Sequence, residues 1–317
     1  DKAIESRDNL IRIYPQKNLF SHIIGQIDID NNGISGLEKS LDQDLKNTKT
    51  PIMLTVDKDI QFLIRNELIK FNKIFNTKGS AAILINVNNG EILSLISLPD
   101  FDPNKREKIT DVNFINRVTK GVYEFGSVFK TFTLAAAFDE KIIEPKKEFK
   151  NLPKSLTCAG FTIREYNEKL PTNLTTEQIL IRSGNIGSVK IAQEVGEEKY
   201  KLFLSKLGLT GEISFDIEEV GKPIKFNWGK CPLATASFGH GITTTLLQIV
   251  KAYSIIVNGG FEINPVLIKQ KKNKRKRILN KEVSKKILPI LRKIVATKEG
   301  TAKLANISGY EIGGKTG

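Results

Sequence analysis

The stretch GVYEFGSVFKTFTLAAAFDE, residues 121–140, decides the fold and directs the interpretation of the whole chain. In it Ser127 precedes Lys130 by three positions, at the point where an alanine-rich helical pattern begins. Residues three apart share a helix face, so the lysine amine can reach the serine hydroxyl. A serine becomes a good nucleophile only when a base takes its proton, and a lysine is that base only when burial lowers its pKa far below about 10.4. Phe129 and Phe132 are placed to exclude water from the pair.

Two further motifs strengthen this interpretation, because Ser-x-x-Lys alone is a weak pattern. Ser183-Gly184-Asn185 is the only Ser-x-Asn of the chain, and Lys315-Thr316-Gly317 is its only Lys-Thr-Gly. Each has a structural alternative: Ser183 as the end of a helix that begins near Thr176, and Lys315 as a surface residue of a strand. All three motifs in this order are the signature set of penicillin-recognising serine acyltransferases.

The hydrophobic pattern predicts an α+β fold. Residues 52–56, IMLTV, are predicted to form a short strand, and Asp57 to cap a helix whose apolar face runs from Ile60 to Phe75. Asn88-Asn89-Gly90 separates two apolar runs and predicts a tight hairpin. A helix over TTTLLQIVKAYSIIVNGG is predicted to end at Gly259 and Gly260, and EIGGKTG to begin a strand.

Composition is that of a globular protein with a basic surface. The chain has 317 residues and a net charge of +14, and 40% of its residues are hydrophobic. That hydrophobic fraction supports a real core and argues against wholesale disorder. The charge favours acidic partners such as nucleic acid, anionic lipid or cell-wall polymer, but genomic base bias toward lysine, isoleucine and asparagine explains it equally well. The run KQKKNKRKR, residues 269–277, has a nucleic-acid-binding composition, although a solvated loop or hairpin tip is favoured.

Cysteine and histidine usage argues against a structural metal site. Cys158 and Cys231 are the only cysteines, and His22 and His240 are the only histidines. This spacing excludes a zinc site and a disulfide framework. We expect two unpaired buried thiols in preference to a single bridge formed in an oxidising compartment. No apolar run reaches the length of a membrane helix, and no signal peptide is present.

The three motifs and their flanks resemble the class B penicillin-binding proteins, specifically the division-associated FtsI type (penicillin-binding protein 3). The resemblance begins near residue 24. The segments that carry it are GISGLEKSLDQDL, GSAAILINVNNGEILSLISLPDFDPN, NRVTKGVYEFGSVFK, ATASFGHGITTTLLQ and EGTAKLANISGYEIGGKTG. Phe125, Val128 and Leu246 depart from the proline, threonine and proline common in the family, and none removes a catalytic group.

The resemblance implies a role for each motif residue. Ser127 would attack the D-Ala-D-Ala carbonyl of a stem peptide, with Lys130 as general base. Ser183 would relay protons to the leaving amine. Asn185 would hold the substrate amide and Lys130. The last three residues of the chain would bind the substrate: Lys315 and Thr316 its carboxylate, with Gly317 allowing close approach. An amine of a second stem peptide would complete the cross-link, and β-lactams would acylate the serine. No metal or organic cofactor is implied.

The resemblance also sets the expected domain organisation and location. Residues 1–50 would end a small N-terminal pedestal module, of the dimerisation type, and its linker. Residues 51–317 would form the penicillin-binding and serine β-lactamase-like transpeptidase domain, an antiparallel sheet flanked by helices. The full-length form would be anchored in the inner membrane, with its catalytic domain in the periplasm, near lipid-linked precursor and divisome membrane proteins and away from nucleic acid.

The chain starts at Asp1, not Met, and stops at Gly317, so we expect truncation at both ends. In the family, the residue after Lys-Thr-Gly supplies one oxyanion donor, and loss of such a donor costs about 10²–10³ in rate. We therefore expect the 317-residue chain alone to be poorly folded or nearly inactive.

Three alternatives remain open on the sequence. A serine β-lactamase shares the motifs but needs a glutamate-bearing loop to hydrolyse its acyl-enzyme, and no persuasive counterpart is found. A β-lactam sensor would show neither turnover nor cross-linking. A truncated, non-catalytic module of the division complex would only bind partners.

Overall fold

The fold is described from a computed structural model, which covers residues 11–105, 112–269 and 275–317. It is a mixed helix and strand fold, which confirms the α+β prediction. All the strand pairs in these residues are antiparallel. Most of the basic run 269–277 lies outside the described residues.

The first part of the chain forms short elements that pack against the body of the molecule. These are α1 (Ser21–Ile24), β1 (Gln26–Ile27), β2 (Gly33–Ser35), α2 (Gly36–Ser40) and α3 (Asp42–Asn47). Ile23 and Leu37 are buried in one hydrophobic cluster with Ile92, Leu95 and Leu247. The N-terminal elements therefore share a core with later strands and helices.

A helix and a hairpin follow, as the sequence predicted. Helix α4 (Lys58–Phe75) begins after Asp57, whose carboxylate accepts the N–H groups of Asp59 and Ile60. Strands β3 (Ser80–Ile85) and β4 (Ile92–Leu98) pair across a turn in which Gly90 has a φ of 82°. Both α4 and a later helix, Leu246–Val257, contact this hairpin.

The predicted strand over residues 52–56 is reduced to a single bridge between Leu54 and Ile268. The backbone here does bond to the chain around residue 267, since Thr55 N–H donates to the Leu267 carbonyl at 2.8 Å. The prediction of a full strand was wrong because an extended run becomes a strand only through a continuous partner, which local sequence does not specify.

Helix α5 (Phe129–Asp139) is the central helix of the molecule. Every residue from 129 to 138 is buried, including Lys130. It packs against α6 (Thr176–Ile181), α7 (Asn185–Val195), α8 (Glu197–Lys206) and α11 (Lys281–Ala296). The turn before α5 is therefore continuous with a helix that is buried on all sides.

The remaining elements surround this helix. They are β5 (Val122–Tyr123), which pairs with β10 (Thr244–Thr245); β6 (Glu148–Phe149), which pairs with β9 (Leu174–Thr175); the hairpin of β7 (Ser155–Cys158) and β8 (Phe161–Arg164); α9 (Lys230–Ala236); and α10 (Leu246–Val257). Helix α10 starts at a capping box of Thr245 and Gln248. It ends before Gly259 and Gly260, both at positive φ, which confirms the predicted stop.

A disulfide joins Cys158, at the end of β7, to Cys231 in α9, with Cα atoms 5.6 Å apart. The expectation of two unpaired buried thiols is therefore wrong, and both residues are only partly buried. Their separation of 73 positions along the chain does not determine how far apart they lie in space. The fold brings the two Cα atoms into the range that a disulfide requires.

The end of the chain also differs from the prediction. Across residues 306–317, all of them described, no strand is present where EIGGKTG was expected to begin one. The segment is instead attached to α11, because Gly314 N–H donates to the Leu291 carbonyl and Arg292 Nη1 to the Ile312 carbonyl. Within residues 11–105, 112–269 and 275–317, no helix has both the length and the apolar character needed to cross a bilayer.

Candidate active site

Ser127 lies in a single turn of 3-10 helix, Gly126–Val128, directly before α5. The turn packs tightly on its neighbours: a Cβ added at Gly239 would lie 2.0 Å from the Gly126 carbonyl oxygen. The Tyr253 hydroxyl, 3.2 Å from the Val128 carbonyl and 2.8 Å from Thr131 Oγ1, fixes the other side of the turn. The serine is partly exposed, lines a cavity and lies in a turn with close contacts on both sides.

Lys130 lies in the first turn of α5, and only 1% of its surface is exposed. Its Nζ donates to the Ser183 carbonyl at 2.5 Å and to Ser183 Oγ at 3.0 Å. Burial, reinforced by the Lys315 ammonium and opposed by the Glu165 carboxylate, lowers the pKa of Lys130 from 10.5 to about 7. The desolvated lysine that the sequence required is therefore present.

The described Ser127 and Lys130 side chains share no hydrogen bond; the lysine is bonded to Ser183 instead. Both residues nevertheless line one cavity of about 930 Å³. Six of the seven predicted site residues line it: Ser127, Lys130, Ser183, Asn185, Thr316 and Gly317. The exception is Lys315.

Ser183 has a backbone φ of 58°, which is uncommon for a residue other than glycine. The cause is a Schellman ending of α6: Gly184 N–H donates to the Ile179 carbonyl and Ser183 N–H to the Leu180 carbonyl. The structural alternative raised for Ser183 is therefore correct as a description of its backbone. Its carbonyl and hydroxyl are turned to Lys130 at the same time.

Asn185 is the first residue of α7. Its side-chain Nδ2 donates to the Arg164 carbonyl at 2.8 Å. No hydrogen bond joins it to Lys130 among the described residues, so the expected contact between these two side chains is absent from this structure. In this structure the side chain ties the start of α7 to the end of β8.

The Lys-Thr-Gly segment reaches the nucleophile turn through its last residue. A Cβ added at Gly317 would lie 2.8 Å from the Phe125 carbonyl oxygen, a contact that only glycine allows. Thr316 Oγ1 donates to Thr301 Oγ1 at 3.0 Å. Lys315 Nζ turns back to the Thr316 carbonyl at 2.7 Å, and burial lowers the pKa of this lysine to about 8.

The walls of the cavity contain polar and aromatic side chains to which the sequence analysis gave no role in the site. His240 Nδ1 lies 3.4 Å from a Glu124 oxygen, and Arg182 is 2.6 Å from Glu299. Glu165 also lines the cavity. No local sequence signal identifies these residues, since they come from separate elements and are assembled only by the fold.

No cluster of three or more His, Cys, Asp or Glu side chains is placed to hold a metal ion in the described part of the chain. The lining of the cavity includes two hydroxyls, from Ser127 and Ser183, and the amine of Lys130. This set is suited to nucleophilic attack by an alcohol assisted by an amine base.

Comparison with known proteins agrees with this chemistry. The family described as penicillin binding protein transpeptidase domain matches residues 80–317. The probable peptidoglycan D,D-transpeptidase FtsI of Caulobacter vibrioides is 31% identical over 96% of this chain and 53% of its own length. The stage V sporulation protein D of Bacillus subtilis is 31% identical over 100% of this chain and 55% of its own length. The chain thus spans about half the length of the curated relatives it matches.

Solved structures have the same fold. Penicillin binding protein 3 of Mycobacterium tuberculosis superposes with a TM-score of 0.81 at 24% identity, covering 96% of this chain and 72% of that one. The transpeptidase domain of Burkholderia pseudomallei penicillin-binding protein 3 gives a TM-score of 0.73 at 26% identity, covering 83% of this chain and 76% of that one. Together with the family match over residues 80–317, these similarities show that the chain belongs to the penicillin-binding protein transpeptidase family.

Proposed function

We propose that this chain carries the transpeptidase activity of a peptidoglycan D,D-transpeptidase of class B. The observation that carries the proposal is the buried Lys130 amine, which is bonded to Ser183 in the lining of the same cavity as Ser127. An amine with a pKa of about 7 is neutral in a large fraction of molecules at neutral pH, so it can accept the serine proton.

In the proposed reaction, Ser127 Oγ attacks the carbonyl between the two D-alanines of a stem peptide, and Lys130 takes its proton. The terminal D-alanine leaves as an amine, protonated through Ser183. The acyl group then rests on the serine as an ester. An amine of a second stem peptide attacks this ester, releases Ser127 and forms the cross-link.

The other motif residues bind the substrate in this proposal. Asn185 holds the stem-peptide amide, and Lys315 and Thr316 bind its terminal carboxylate. Gly317 lets the peptide lie close to the nucleophile turn. In the structure Lys315 Nζ donates to the Thr316 carbonyl, so in this proposal the ammonium leaves that acceptor when it binds the carboxylate.

β-Lactams are proposed to acylate the same serine. The Mycobacterium tuberculosis relative has been solved in complexes with aztreonam and with ampicillin. A β-lactam presents a strained amide carbonyl and a carboxylate to the same groups, and the departing amine stays tethered to the acyl-enzyme. We expect a long-lived ester on Ser127.

We further propose a septal role for the protein. The similarity to the Caulobacter protein named FtsI supports a function in division, with lipid-linked precursor and membrane proteins of the division complex as partners. The equally similar Bacillus relative is a sporulation protein, so the division assignment depends on a cellular test. Residues 1–50 are proposed to end a pedestal module and residues 51–317 to form the transpeptidase domain.

A periplasmic location at the inner membrane is part of the same proposal. The disulfide between Cys158 and Cys231 supports it, because such bonds form and persist in oxidising compartments. The net charge of +14 suits work near anionic lipid and acidic wall polymer.

The test uses the full-length gene product and its Ser127→Ala variant. We expect fluorescent penicillin to label the wild-type protein at one site and to leave the variant unlabelled. In cells depleted of the native protein, the variant should fail to support septation. Division supported by Ser127→Ala would instead favour the non-catalytic binding module.

A serine β-lactamase is the second candidate, because Glu165 lines the cavity. That enzyme needs a glutamate free to activate water, whereas both oxygens of Glu165 accept backbone N–H groups. Nitrocefin distinguishes the two: a transpeptidase is acylated once, and a β-lactamase turns it over.

A further inference from the structure

The hairpin of β7 and β8 is attached to its surroundings at two places. At one, Cys158 is bonded to Cys231 of α9. At the other, Glu165, the residue directly after β8, contacts the start of α7. The Ser183–Asn185 loop lies between α6 and α7, so the second attachment acts directly on a cavity wall.

The Glu165 carboxylate makes a two-point contact with the first turn of α7. One oxygen accepts the Asn185 N–H at 2.6 Å, and the other accepts the Ile186 N–H at 2.9 Å. The first N–H groups of a helix have no intrahelical partner, and a negative charge is favoured there. Gly184, at the N-cap position, has no side chain to cap the helix. Glu165 supplies the cap from 20 residues earlier in the chain.

The loop is therefore held from both ends. Lys130 bonds the carbonyl and hydroxyl of Ser183, and Glu165 bonds the backbone of Asn185. The Asn185 amide, bonded to the Arg164 carbonyl, ties the loop to the same hairpin. A shift of α7 along its axis would change the distance between Ser183 and Lys130, because Gly184 alone separates the two motif residues.

We propose that Glu165 is a positioning residue, which sets the Ser183–Asn185 loop against Lys130 through the N-terminus of α7. This role rests on the proposed function, since it concerns the acylation of Ser127. Glu165 itself need not touch the substrate. Its effect is transmitted through the backbone of Asn185.

The charge of Glu165 predicts a change in the pH dependence of acylation, which a simple loss of structure would not produce. Its carboxylate raises the pKa of Lys130, against burial and the Lys315 ammonium. The other acidic, basic and histidine side chains that line the cavity lie beside partners of their own: Glu124 beside His240, and Arg182 beside Glu299. Removing the Glu165 charge should therefore move the acylation pH profile toward lower pH.

The experiment measures acylation by fluorescent penicillin for the full-length gene product and for Glu165→Gln, Glu165→Asp and Glu168→Gln. A glutamine side chain has only one acceptor oxygen. It can accept the N–H of either Asn185 or Ile186, and the other N–H then faces the glutamine NH2 group, which is also a donor. We expect Glu165→Gln to slow acylation at least about tenfold and to lower the pH midpoint of the profile. Glu165→Asp keeps the charge but is shorter, so acylation should slow with the midpoint unchanged.

Glu168→Gln is the matched control, because Glu168 is an exposed glutamate three positions after Glu165 and does not line the cavity. It removes the same charge and should acylate within about twofold of wild type. Thermal melting shows whether each variant is folded. If Glu165→Gln is unfolded, the acylation rate of Glu165→Asp is the test of the proposal. Wild-type rates in the folded Glu165 variants, or an equal loss in Glu168→Gln, overturn the proposal. Failure of the wild-type protein to label overturns the proposed function instead.

Discussion

At the scale of single residues, the molecule depends on a lysine held in an environment that disfavours its charge. The Lys130 side chain is 1% exposed, and both of its bonding partners are oxygens of Ser183. A neutral amine can make these two bonds with its two N–H groups and keep its lone pair for a proton. Hydrogen bonding at this site is thus compatible with the basic form of the lysine.

Acylation should rise with pH through a midpoint at about 7, because Lys130 is active only when neutral. The pKa of this lysine is lowered, so the active form accumulates above the midpoint and is lost below it. Second-order rate constants for fluorescent penicillin, measured on both sides of the midpoint, provide the test. Lys315→Met removes a positive charge near Lys130 and should raise the midpoint. A profile that falls with increasing pH would contradict the assignment of Lys130 as the base.

Ser183 has two roles: its backbone ends α6, and its hydroxyl lines the cavity. Two substitutions separate these roles. Ser183→Gly relaxes the positive φ and should be as stable as wild type or up to about 1 kcal/mol more stable. Ser183→Ala keeps the conformational cost of roughly 1–2 kcal/mol. If the hydroxyl relays protons, both variants should lose roughly 10²–10⁴-fold in acylation rate. Full activity of the glycine variant would show that the residue serves only to end α6.

At the scale of elements, the features that local sequence encodes were predicted and those that need a distant partner were not. Asp57 caps α4, and Gly90 turns the β3–β4 hairpin, through groups a few residues away. The strand expected at Lys315 needs a neighbouring strand, and the chain bonds to α11 there instead. The same distinction applies to the site: the three motifs were visible as patterns, whereas Glu165 acts on a residue 20 positions away.

The disulfide fastens the β7–β8 hairpin to α9 and should contribute to stability. Replacing both cysteines, as Cys158→Ser with Cys231→Ser, should lower the free energy of unfolding by about 2–4 kcal/mol, because the bond restricts a long loop of the unfolded chain. Denaturant unfolding with and without reductant measures the effect.

Ser155→Ala, an exposed position on β7, is the control and should change stability by less than about 0.5 kcal/mol. Reductant should destabilise the wild-type protein and have no effect on the double serine variant. An unfolding midpoint of wild type that ignores reductant would show that the bond does not constrain the protein in solution.

At the scale of the whole molecule, the N-terminal elements are packed into the body by both apolar and polar contacts. Ile23 is fully buried beside Ile92 and Leu95. Asn116 Nδ2 donates to the His22 carbonyl at 2.9 Å, and burial lowers the pKa of the His22 imidazole, which therefore stays neutral at pH 7. The position of these elements could not be predicted from their polar, glycine-rich sequence, because a few buried side chains decide it.

Ile23→Ala should lower the free energy of unfolding by about 2–5 kcal/mol through the cavity it leaves. The rate of acylation per folded molecule should stay within about twofold, since the residue is outside the Ser127 cavity. Ile29→Ala is the control, because Ile29 is 71% exposed and should cost less than about 0.5 kcal/mol. Equal stability losses in the two variants would show that the packing of α1 is not a source of stability.

The bond between Cys158 and Cys231 makes a covalent ring of the chain, and α6, α7 and α8 all lie inside it. A protease that cuts anywhere within that ring cannot separate the pieces while the sulfurs remain joined. When the cut falls between Cys158 and Asn185, the serine of the nucleophile turn and the asparagine of the loop are on different fragments, and on a non-reducing gel the nicked molecule should still migrate as one species that retains both. Only after reduction should the two halves of the catalytic apparatus part.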